Sequence, residues 1–71
     1  MSELRAEMVG TVYGLAVEVG ARVAEGDTVL VLESMKMEIP VLAEASGTVT
    51  SLPVAVGTVV QEGDVLAVLT P

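Results

Sequence analysis

The chain repeats itself. Shifted by 37 residues, Ala6-Glu7 falls on Ala43-Glu44 and Gly10-Thr11-Val12 on Gly47-Thr48-Val49. Leu15, Val17, Val19 and Gly20 fall on Leu52, Val54, Val56 and Gly57. Val23 falls on Val60, Glu25-Gly26-Asp27 on Glu62-Gly63-Asp64, and Val31-Leu32 on Val68-Leu69. These identities hold the turn signals and the apolar positions between them in one register. Such a chain must build the same unit twice and bury the apolar face of one copy against the other. The expectation is a pseudo-twofold domain. Residues 34–42 link the halves, so the link is a hairpin around Ser34-Met35-Lys36-Met37, with both chain ends near the opposite pole.

The repeating unit is made of strands. Gly10, Gly14, Gly20, Gly26-Asp27, Pro40, Gly47, Pro53, Gly57 and Gly63-Asp64 interrupt every apolar run and leave no room for a helix of ordinary length. Five strands are predicted: Val9–Val17 with a glycine irregularity, Thr28–Glu33, Met37–Leu42, Gly47–Val54 and Val65–Thr70. The second and third form the central hairpin. Many short strands with regular turns and many β-branched valines point to a sandwich or small barrel.

Composition then removes most functions. The 71 residues allow one small domain, read as 1–71, with no cysteine to staple it. Without Cys or His there are no thiolate or imidazole metal sites and no Cys- or His-based nucleophilic catalysis. Three cations against ten acids, a net charge of −7, exclude a nucleic-acid surface. A single tyrosine is the only aromatic, so there is no stacking platform. No apolar run approaches the ~18–20 residues of a membrane helix, and Met1-Ser2-Glu3-Leu4-Arg5 does not read as a signal peptide. A cytoplasmic monomer is expected.

Lys36 is the only lysine, set between two methionines and two glutamates in Glu33-Ser34-Met35-Lys36-Met37-Glu38. Tight turns favour Gly, Asn, Asp and Ser, so methionines beside one are out of place as turn formers. They also cannot be core beside a lysine in a tight turn. Methionine does suit recognition surfaces, being flexible and polarizable.

These residues resemble the attachment motif, Glu-(Ala or Ser)-Met-Lys-Met, of biotinyl carrier domains. The resemblance runs over the whole chain: Ala6-Glu7-Met8-Val9-Gly10-Thr11-Val12 is similar to the Ala-Pro-Met-Pro-Gly-Thr-Val opening of those domains. Gly20 through Asp27, Gly47-Thr48-Val49 and Glu62-Gly63-Asp64 also fall where the family has them. Glu7 and Val9 stand in place of the usual prolines, and no thumb insertion lies between the early strands. The chain looks most like the small stand-alone biotinyl/lipoyl attachment proteins of actinobacteria.

The resemblance implies an all-β fold, a flattened barrel of two four-stranded antiparallel sheets (a barrel-sandwich hybrid) with the modified lysine on a protruding hairpin. It implies covalent biotin on Lys36, and Glu33, Ser34, Met35, Met37 and Glu38 as residues read by a biotin protein ligase. Biotin carboxylase and carboxyltransferase subunits are the further partners it implies. The role is carriage of activated CO2, with no catalytic residue in the carrier. Two other readings share the fold. A lipoyl carrier has a motif similar to Glu-(Ser or Thr)-Asp-Lys-Ala, and the methionines here favour biotin instead. An unmodified interaction module needs no lysine between two methionines. An enzyme is the weakest reading, because Ser34, Ser46, Ser51 and the threonines have no histidine or second lysine to activate them.

Overall fold

The computed structural model describes residues 2–71. Eight strands follow one another: β1 (Ser2–Arg5), β2 (Gly10–Leu15), β3 (Arg22–Val23), β4 (Thr28–Ser34), β5 (Met37–Leu42), β6 (Gly47–Ser51), β7 (Val59–Val60) and β8 (Val65–Thr70). They form two four-stranded antiparallel sheets, ordered β1-β8-β6-β3 and β5-β4-β2-β7. There is no helix among the described residues.

The five predicted strands are β2, β4, β5, β6 and β8, with β2 and β6 ending earlier than expected. The glycine irregularity of β2 is a register shift between Val12 and Gly14 in its pairing with β4. The three strands not predicted are β1, β3 and β7. β3 and β7 are two residues each, held by antiparallel pairing with β6 and β2.

The repeat is visible in the pairing. β1, β2, β3 and β4 correspond to β5, β6, β7 and β8, so the order of one sheet maps onto the other. Each sheet draws two strands from each half, so the halves are interlaced rather than stacked. The buried residues obey the same rule: Ala6 and Ala43, Val12 and Val49, Val23 and Val60, Val29 and Leu66, Leu30 and Ala67, Leu32 and Leu69 are all in the core. Leu4 is the exception, because its counterpart Val41 is only partly buried. No polar side chain is buried among the described residues, so the core is held by apolar contact alone.

The turns repeat as well. Asp27 N–H donates to Ala24 O and Asp64 N–H to Gln61 O, both at 3.0 Å. Each aspartate carboxylate in turn accepts the N–H of the turn's first residue, at 2.9 Å for Ala24 and 2.8 Å for Gln61. The third residues, Gly26 and Gly63, have φ of 92° and 91°, as a type II turn requires. Gly26 N–H donates to Ala43 O and Gly63 N–H to Ala6 O, each at 2.8 Å, tying each turn to the other half.

The same contacts place the poles. Ala43 bonds Asp27 at the base of the β4–β5 hairpin. Four residues on, Gly47 packs so closely on the Thr70 carbonyl that a Cβ would stand 2.8 Å from its oxygen. Ser2 pairs with Leu69. The described chain ends therefore lie at the hairpin base, and the tip is at the other end of a body 33 Å long and 17 Å across.

Candidate functional site

The β4–β5 hairpin carries the site. Thr28-Val29-Leu30-Val31-Leu32 is a strand buried in the middle of its sheet, and β5 is an edge strand, which is where Pro40 can be tolerated without a lost ladder bond. The register is Leu32 opposite Ile39, Glu33 opposite Glu38 and Ser34 opposite Met37. Two residues remain for the loop, Met35 and Lys36, with φ of 53° and 65°.

Two consecutive positive φ values in a two-residue hairpin loop are the signature of a type I′ turn. That turn matches the twist of the flanking strands but favours Asn-Gly, because a Cβ is strained there. Met35 and Lys36 are the only non-glycine residues with positive φ among those described. The tip therefore holds side chains where the backbone prefers none, a strain that persists only when the surroundings over-determine it.

The six predicted residues are together, but not on one surface. Strand alternation sends Glu33 and Glu38 to the outer face, where Thr11 of β2 is opposite Glu33. Ser34 and Met37 share the other side with Leu32 and Ile39. Met35 and Lys36 stand at the apex between the two groups. Met35 is 88% exposed and Met37 59% exposed, while Ser34 is half-buried. Glu33 and Glu38 are a like-charged cross-strand pair, which costs stability rather than adding it. Lys36 is exposed, and the one ion pair among the described residues is Arg5–Glu3, so neither glutamate closes on it.

One supporting residue is not marked by the sequence as part of the site. Gly10 packs under the tip, with space for a Cβ only at 3.0 Å from the Glu33 carbonyl oxygen. It occupies the place at the tip that Gly47 occupies beside Thr70 at the other pole. The shared Gly-Thr-Val block holds that signal, as a repeat rather than as a buttress. Among the described residues no group of three acidic side chains is placed to hold a metal ion. No helix of the structure is long and apolar enough to cross a membrane.

Comparison with known proteins follows this geometry. Residues 2–69 match the biotin/lipoyl family, described as "Biotin-requiring enzyme". The chain is 56% identical over 41 residues to "Biotinylated protein TB7.3 homolog" of Mycolicibacterium smegmatis, a stretch covering 58% of each chain. It is 42% identical over 38 residues to "Biotin/lipoyl attachment protein" of Bacillus subtilis, covering 54% of this chain and 52% of that one. These matches span little more than half the length of the relatives. Among solved structures, the urea carboxylase of Kluyveromyces lactis contains a region superposing with a TM-score of 0.92 at 35% identity, over 97% of this chain and 6% of that one. A single-chain, multi-domain long-chain acyl-CoA carboxylase matches with a TM-score of 0.87 at 35% identity, over 93% of this chain and 7% of that one. With nearly every residue inside the family match and the fold of both carboxylase regions, this chain belongs to the biotin/lipoyl family.

Proposed function

We propose that Lys36 is where biotin is joined, through an amide between the biotin carboxyl and the side-chain amine, and that residues 1–71 act as one carrier domain. The observation that carries this reading is the only lysine of the chain at the apex of a hairpin, between two exposed methionines. The site fits the group: the amine is exposed, and no ion pair among the described residues competes for it. When attached, biotin supplies a ring nitrogen that takes up CO2 at one active site and releases it at another. Lysine and side arm make about eleven bonds, so the reach is roughly 14 Å at about 1.25 Å per bond. The stiff hairpin below holds the base of that reach still.

An amine attacks an acyl group through its nitrogen lone pair, and the proton it sheds on forming the amide must go to a base. The chain has no histidine to take it, so a biotin protein ligase supplies the base and the activated acyl group. Met35 and Met37 give that ligase its apolar contact, with Ser34, Glu33 and Glu38 as the polar flanks. The net charge of −7 steers the encounter. Biotin carboxylase and carboxyltransferase subunits are the later partners, met in the cytoplasm by a monomeric carrier.

The test is co-expression with a biotin ligase. One biotinyl group should be added, peptide mapping should place it on Lys36, and Lys36→Arg should abolish streptavidin binding with the fold intact. Biotin on the N-terminal amine instead would overturn the assignment.

A further inference from the structure

The two methionines beside Lys36 are accessible as sulfur, not only as apolar surface. Met35 is 88% exposed and Met37 59% exposed. Met8, by contrast, is half-buried, against the groove formed with Leu4, Leu32, Ile39 and Val41. The molecule thus presents two thioethers to solvent at the tip and shelters the third described one.

We infer that Met35 and Met37 form a redox-sensitive modification site, at which oxidation by a hydroperoxide closes Lys36 to its ligase. The inference rests on the reading of Lys36 as the attachment point. The step balances simply. A thioether sulfur attacks one oxygen of hydrogen peroxide, the O–O bond breaks, and the proton on the oxygen now bound to sulfur moves to the departing hydroxide to leave water. The sulfur loses two electrons and becomes a sulfoxide. Two thiols of a methionine sulfoxide reductase reverse it, giving the thioether, a disulfide and water.

The consequence follows from position. A sulfoxide turns a flexible apolar chain into a polar one. In a core this would unfold the domain, but these side chains contribute little to the buried interior. The fold survives, and the loss falls on whatever must desolvate the tip. An unpartnered polar group in such a contact lowers the rate of acylation by about tenfold or more. The adjacent turn makes the effect local, since Met35 and Lys36 are both held in fixed left-handed backbone conformations.

The experiment uses unmodified protein, brief hydrogen peroxide treatment, peptide mapping, thermal unfolding and a biotin ligase assay. Oxygen should be found on Met35 and Met37 before Met8, with the unfolding temperature unchanged. Biotinylation should slow by about tenfold or more and recover after reductase treatment. For Met35→Leu/Met37→Leu, the ratio of treated to untreated rates should be near unity whatever its starting rate. Oxidation of Met8 first, or an undiminished rate for protein carrying both sulfoxides, overturns the inference. Untreated protein that takes no biotin at Lys36 overturns the attachment reading and the switch with it, although the sulfoxide map distinguishes that outcome from a failure of exposure.

Discussion

At Met35 and Lys36, identity and conformation oppose one another. A type I′ turn prefers Asn-Gly, and the chain places two long side chains there at φ of 53° and 65°. Met35→Asn/Lys36→Gly should therefore raise stability by about 1–2 kcal/mol while removing the proposed attachment point. Urea denaturation decides it: an unchanged midpoint would mean that the tip is not strained. The methionines raise a separate question, whether the ligase reads their apolar character. Met35→Leu/Met37→Leu keeps that character and should largely retain biotinylation. Met35→Asp/Met37→Ala moves the tip toward the lipoyl pattern and should lose most of it. Equal rates for the two variants would show that the flanking residues are not read. The candidate site is legible in the motif itself, because a lysine is ordinary at an exposed turn but two methionines flanking it are neither turn formers nor core. The strain is not legible there, since nothing in Met-Lys announces a left-handed backbone. Nor is the division of the flanking residues between two faces, which depends on the register of Glu33 with Glu38.

Among the elements, the two Glu-Gly-Asp turns are the same device used twice. Gly26 and Gly63 share a φ within a degree, and both turns are closed by an aspartate carboxylate. Gly26→Val and Gly63→Val should each destabilise by about 1–3 kcal/mol and by similar amounts. One neutral and one severe result in chemical denaturation would break the equivalence. Both turns are away from the tip, so each variant, while folded, should still accept biotin at Lys36. The long strands are legible in the sequence because their apolar runs are bounded by glycine and proline. β1 is not, since Ser2-Glu3-Leu4-Arg5 has one apolar residue and becomes a strand by pairing with β8. β3 and β7 are too short for any periodicity, and long-range partners alone define them.

The whole molecule is an interlaced dimer of its own halves. Each sheet needs strands from both, and every buried position of one half but Leu4 has a buried counterpart in the other. Neither half has a closed core alone, so peptides spanning 1–36 and 37–71 should each lack β-structure by circular dichroism, while the intact chain should unfold in one transition. A folded half would refute the interlacing. Leu66, with no exposed surface, stands at the centre of this shared core, and Leu66→Ala should cost about 2–5 kcal/mol, measured by thermal unfolding. The described ends of the chain meet as neighbours on paired strands, where the other half has its hairpin. Two units of 37 make 74, three more than the 71 residues here. A peptide ligase closing that gap with Met-Lys-Met would supply the second hairpin and give a circular protein with a lysine at each pole. A carrier with one arm would become a rod that tethers two avidin molecules at once.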